Sequence, residues 1–289
     1  MSLFRKNPPQ DAAFRQNKTR LTRLRDTPGL STSNFSVNEL ALCASLGIRP
    51  LGQVISSTVF QMASQSPPYR SGEMTYMTKA MQSVRQLVFS RLQQEAEMIG
   101  AQGIVGVHLE QTLLQPDTGL TEWKAAGTAV HVESAQQEAK PFLCGLSCQG
   151  LLALKAAGYR PVGLAWGVCG YYQRGDRRFE TAAFRAPYSM GTEQNQPYSI
   201  RDNREDSGLT AGVYAARFRA MQRLETEATL VEADGIIGLQ WEMTKELRKE
   251  GDLADTFRHD AYFSVSVLGT AIAALGSGAT VIDYALPLT

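Results

Sequence analysis

Two arginines and two glutamates stand where a helix would bury them. If residues 76–99 form a helix, Arg85 and Glu95 fall inside the apolar arc of Met81, Val84, Val88, Leu92, Ala96 and Ile99. In a second helix over 209–231, Arg217 and Glu227 take the same places within the arc of Val213, Ala216, Ala220, Leu224, Ala228 and Val231. Charge buried this way is costly unless paired and hydrogen-bonded. Arg85 and Glu95 are ten positions apart, too far to meet within one helix, so each needs a partner on another element or another chain. A structural ion pair that fixes assembly geometry is the first reading, and an anion pocket between subunits lined by Arg85 and Arg217 is the second. Arg91 and Glu95 stand four apart and suit a local pair of about 0.2–0.5 kcal/mol. Arg223 and Glu227 repeat them in the second helix.

A second set of residues could hold a metal. Alternation along GIVGVHLE puts His108 and Glu110 on one strand face, and a later strand carries His131 and Glu133 on one face. Were these faces to coincide, two imidazoles and a carboxylate would form a zinc-like donor set. At the corresponding places further along the chain stand Gln240, Glu242 and Ala273, so the histidines are not repeated. Satisfied surface or interface histidines are the plainer reading. Cys144 and Cys148 have three residues between them, not the two of a strong zinc half-site, and together with Cys43 and Cys169 read as buried or half-buried thiols. No P-loop, G-x-S-x-G or complete G-x-G-x-x-G occurs, and no histidine neighbours a serine or cysteine in the sequence as a base would. The expectation is a protein that is not an enzyme and has no resident cofactor, a metal being the one possibility left open.

The elements that position these residues are written twice. RLQQEAEMIGAQGIVGVHLE at 91–110 returns as RLETEATLVEADGIIGLQWE 132 positions later, with nine identities. Upstream, Gly47, Arg49, Pro50 and Gly52 return as Gly158, Arg160, Pro161 and Gly163 at an offset of 111. Each copy predicts a short helix (37–46, 148–157), a strand, a polar insertion, the long helix, and two strands joined by a hairpin, the last carrying GTAV or GTAI. Ser36 and Glu39 form a capping-box pattern at the start of the first short helix. The fold class is therefore α+β, each unit a β-α-β-β element with a small, mainly antiparallel sheet and one long helix packed on it. Such a thin sheet favours association through its open face and edges.

At these residues the chain resembles the YbjQ-like family, which has a dodecin-subunit-like fold and a heavy-metal-binding label. RPLGQV, VRQLVFSRLQQEAEMIGAQGIVGV and GTAV carry the resemblance in the first unit. RPVGLAWG, ARFRAMQRLETEATLVEADGIIGL and GTAI carry it in the second. The resemblance implies two tandem copies of a unit that assembles as a pentameric ring, and it implies no activity. Glu232 departs from it, standing where the first copy has Gly100.

The expected organisation is an arm (1–35), a first unit (36–133), a linker (134–146), a second unit (147–274) with an insertion at 174–210, and a C-terminal arm (275–289). The first arm carries seven Lys/Arg against two acids in a chain of net charge +1, leaving the remainder at about −4, so no nucleic-acid footprint is expected. It reads as a poorly ordered segment, with Phe14, Leu21 and Leu24 offering a short amphipathic alternative. Few cysteines and no apolar leader point to the cytoplasm. The uncharged run 262–282 is long enough for a membrane helix but is rich in Gly, Ser, Thr and β-branched residues, so it reads as strand. Val281, Ile282, Tyr284 and Leu286 read as an arm laid on a neighbouring subunit. The functional expectation is a pentameric scaffold of five chains, two stacked rings being the favoured arrangement, that engages a protein partner through its N-terminal arm or its insertion. The alternative is an oligomer binding a small ligand or heavy metal between units.

Overall fold

A computed structural model describes residues 11–26, 31–45, 47–61, 70–115, 120–132, 140–175, 205–250 and 258–281. Its elements are α1 (Asp11–Asp26), α2 (Val37–Ser45), β1 (Ile48–Gln61), β2 (Gly72–Glu73), α3 (Thr75–Met98), β3 (Gly103–Gln115), β4 (Leu120–Val132) and β5 (Phe142–Cys144). They continue as α4 (Cys148–Ala156), β6 (Tyr159–Gln173), α5 (Ser207–Leu230), β7 (Gly235–Glu250) and β8 (Arg258–Ala274). The fold is α+β.

Each half builds its sheet the same way. The apolar arc of α3 buries Met81, Val84, Val88, Leu92 and Ala96, and α5 buries Ala216, Ala220, Leu224 and Ala228 in the same core. β4 lies between β1 and β3, and β8 between β6 and β7, all antiparallel. Register slips at Pro50/Gly52 in one sheet and Pro161/Gly163 in the other. It slips again between Val105 and His108, and between Ile237 and Gln240, where Gly106 and Gly238 hold φ of 66° and 64° that a Cβ would disfavour. The Ser36 and Glu39 side chains cap α2 reciprocally: Ser36 Oγ accepts the Glu39 amide at 3.2 Å and Glu39 Oε2 accepts the Ser36 amide at 2.9 Å.

Each sheet has four strands, not three, because each half lends one to the other. β2 pairs with Tyr171 and Tyr172 of β6, and β5 runs parallel to β3 from Gly103 to Val105. The segment expected as a linker thus supplies a strand. Part of the expected disordered arm is helical: α1 buries Leu21 in the core and sets Leu24 beside Gly52. Leu21 and Leu24 lie three apart on one helix face, and together they meet enough apolar surface to hold the segment down.

Cys43 and Cys148, expected as thiols, are joined in a disulfide between α2 and α4, their Cα atoms 6.3 Å apart. At a sequence separation of 105, spacing carried no sign of the pairing. The uncharged run from Tyr262 is β8, and among the described residues no helix is long and apolar enough to cross a membrane. Val281 packs partly buried on the chain's own core, and Arg160 donates to the Ala279 carbonyl at 2.5 Å. Ile282, Tyr284, Leu286 and insertion residues 176–204 lie outside the described residues.

Candidate functional site

The buried charges meet at the seam between the halves. Arg85 of α3 forks onto Glu227 of α5: Nη1 donates to Oε2 at 2.9 Å, and Nη2 donates to Oε1. The Trp166 amide of β6 donates to the same Oε2 at 2.7 Å. The guanidinium carbon lies 5.2 Å from the Trp166 ring centroid, and Trp123 meets Trp166 edge to face at 6.2 Å. Arg85 is 2% exposed and Glu227 8%, so water contributes little and the bidentate geometry must offset two desolvation costs. Sequence placed both charges on buried faces and required partners elsewhere; the structure pairs them within one chain.

Glu95, the counterpart of Glu227, is also buried and accepts the Ile55 amide at 3.2 Å, as Glu227 accepts that of Trp166. Arg91 donates from Nη1 to Ser57 O at 3.1 Å and to Thr58 Oγ1 at 2.9 Å. It therefore clamps the strand edge and not Glu95, and the desolvation of this half-buried group lowers its pKa. Arg223 makes the equivalent bond to Val168 O at 3.0 Å. Arg217 alone of this set stands exposed.

Sequence reasoning missed Glu73. Beside β6 it accepts from Arg223 at 2.5 Å and Arg219 at 3.3 Å, closing the seam one to two turns before Glu227 along α5. A signal existed: Glu73 and Thr78 return as Glu205 and Thr210 at the offset of 132. Thr78 accepts the Gly170 amide at 3.0 Å, and the Met74 amide donates to Gly170 O at 2.8 Å. Also unforeseen is Asp260, fully buried, which accepts from the Tyr172 hydroxyl and, at 2.9 Å, from the Gly175 amide.

The metal candidates are not brought together. His108 stands opposite Ala126 and His131 opposite Arg49, so five positions of β4, roughly 16 Å, separate them. The slip at Gly106 also breaks the alternation that would have aligned the two faces. His108 lies 3.8 Å from Glu110, which an exposed ion pair with Lys124 at 2.8 Å holds below the usual carboxylate range. Glu242 is exposed on β7 opposite Ser266, and Glu133 lies outside the described residues. Among the described residues no three His, Cys, Asp or Glu side chains are placed to share a metal. Burial pushes the Cys144 and Cys169 thiols up to about 11, away from nucleophile or thiolate-ligand behaviour at neutral pH.

Residues 50–133 match the YbjQ family, described as "putative heavy-metal-binding". This bears out the family resemblance over most of the first unit. Over 264 residues the chain is 27% identical to an encapsulin nanocompartment protein of Mycobacterium tuberculosis (strain ATCC 25618 / H37Rv), covering 89% of this chain and 91% of that protein. No solved structure matches the chain.

Proposed function

We propose that this chain is a non-enzymatic building block of a homo-oligomeric ring, acting as an assembly or scaffold protein in the cytoplasm. A partner protein would engage the N-terminal segment or the 174–210 insertion. The observation that carries this reading is the apolar surface left on two outer strands. Leu239, Trp241, Met243 and Leu247 of β7 are each 42–50% exposed, and Ile55 and Val59 of β1 are 44% and 57% exposed. Unpaired strand edges with such side chains are aggregation hazards unless a partner covers them. The likeness to an encapsulin nanocompartment protein along nearly the whole chain supports a role in assembly. Five chains is the count the family resemblance implies. Native mass measurement tests the reading: a single species at several multiples of 31.6 kDa supports it, and a monomer at all concentrations refutes it.

The description of the matched family favours a second reading, an oligomer that binds a small ligand or heavy metal between units. Since His108 and His131 lie apart in one chain, such a site would have to form between copies. Elemental analysis of untagged protein, with His108→Ala and His131→Ala alongside, tests it. Metal present in the wild type and lost in both variants favours this reading; no metal in the wild type removes it.

A further inference from the structure

The two sheets match where β3 and β7 begin, and only one of them is covered there. The Gln102 amide donates to Val130 O at 3.0 Å, and the Gln102 side chain accepts the Val132 amide at 2.6 Å. Asp234 repeats both bonds on β8: its amide donates to Ile272 O at 2.8 Å, and its carboxylate accepts the Ala274 amide at 2.7 Å. Beyond this shared frame the halves part. On β3 the Phe142 amide donates to Gln102 O at 3.2 Å, and β5 pairs with Gly103 to Val105. The Phe142 ring lies where a Cβ on Gly103 would stand, its Cζ 2.3 Å away. Gly103, Ile104 and Val105 are buried under this cover.

On β7 the same places are open. Among the described residues Asp234 O takes no such bond, and no strand pairs with the outer edge of β7. A Cβ on Gly235 would meet only the Ile272 side chain, at 3.7 Å, so the space that a ring fills on β3 is free here. Gly235, Ile236 and Ile237 are half-buried where their counterparts are buried. Leu146 meets β7 further on, at the Gly238 bulge.

The sequence carries a second version of the covering strand. At the offset of 142 that relates GTAV to GTAI, Phe142, Leu143, Cys144 and Leu146 return as Tyr284, Ala285, Leu286 and Leu288. Aromatic falls on aromatic, and the connection from the preceding strand has the same length in both. Residues 282–289 lie outside the described residues, but the chain that leads to them heads for β7. Ala279 is buried with its carbonyl held by Arg160, and Val281 packs on the cluster that contains Ile272, as Ile237 does. From Val281 to Tyr284 the backbone spans up to about 10 Å, roughly two strand spacings.

We infer that residues 284–286 add an edge strand parallel to Gly235, Ile236 and Ile237 of the same chain, with the Tyr284 amide on Asp234 O and its ring over Gly235. This goes beyond the assembly reading and does not rest on it. Pro287 stands where Gly145 donates its amide to Thr270 Oγ1 across the seam. Proline has no N–H to make that bond, so the added strand closes its own sheet and carries no seam to a further unit. It stops at Ile237, which leaves the apolar side chains from Leu239 to Leu247 for the contact proposed above.

Hydrogen exchange of the full chain, read by mass spectrometry, tests the docking, with the peptide over 103–105 as internal reference. The amides of 234–237 are expected to exchange about tenfold or more faster in Tyr284→Gly and in Gly235→Ala than in the wild type, with the reference unchanged. Gly235→Ala suits the purpose because its methyl has room beside Ile272 and clashes only with a ring laid over it. Ile236→Cys/Ala285→Cys places cysteines at the counterparts of the paired Ile104 and Leu143. Oxidised, it is expected to link within one chain and to run as a monomer on a denaturing non-reducing gel. Equal exchange in the wild type and both variants overturns the inference. So does a cross-linked dimer, which would put the segment on another copy, and so does the absence of any link. Native mass decides the assembly reading separately.

Discussion

Arg85 is held by more than one attraction, and that decides how the seam responds to substitution. Its charge is buried against Glu227, its guanidinium stacks on Trp166, and the same carboxylate ties down the β6 backbone. Removing one member leaves the other ionised without water. Glu227→Ala is expected to destabilise the chain by about 3–5 kcal/mol in urea unfolding. Glu95→Ala, whose bond to the Ile55 amide is 3.2 Å long against 2.7 Å for the Trp166 amide on Glu227, should cost less. Equal losses would mean that the Arg85 pair contributes nothing specific. Helical periodicity made both charges visible as misplaced, since that test needs only local sequence. The pairing of Arg85 with Glu227 spans 142 residues, and Glu73 reaches partners 146 and 150 residues away. Only the repeat could have hinted at partners so distant.

Among the elements, the long helices and long strands were legible because each carries its own period of apolar residues. α3 runs 75–98 and α5 207–230, within two residues of the expected 76–99 and 209–231. β2 and β5 were not legible, being two and three residues long, too short for any period, and existing only because another half's edge receives them. α1 was underestimated because Leu21 and Leu24 gain their stability from surface on the first half. The departure noted at Glu232 has a structural counterpart. Its φ is 55°, the one positive value outside glycine among the described residues, where Gly100 ends α3 at 72°. Glu232→Gly relieves that strain and is expected to stabilise the chain by about 0.5–1 kcal/mol, read as a higher urea midpoint with unchanged slope. A lower midpoint would place the strain elsewhere. The opposite effect is expected at Gly167, whose Cβ would sit 1.8 Å from Ala220 O on α5. Its counterpart Ser56 has room to donate to Val88 O at 2.8 Å, so the second helix lies closer to its sheet. Gly167→Ala must push α5 outward, at about 1–3 kcal/mol in the same assay, whereas Ser56→Ala should cost less.

For the molecule as a whole, self-association links stability to concentration. If the exposed edges of β1 and β7 are covered by other copies, the melting temperature rises as protein concentration is raised about a hundredfold. Differential scanning calorimetry across that range checks it, and a constant melting temperature would mean that each chain is thermodynamically self-contained. The metal candidates illustrate a limit of reading chemistry from strand alternation. Residue types at His108 and His131 suited a zinc-like set, but one slip of register at Gly106 and five positions of β4 separate them.

The lending of β2 to one sheet and β5 to the other makes the two halves inseparable in a practical sense. Produced alone, the first half would display β3 without its parallel neighbour, and the second would lack the residues that close over β6. Neither fragment is then a sound module for grafting or truncation. Produced together as separate polypeptides, they should find each other and rebuild the native chain.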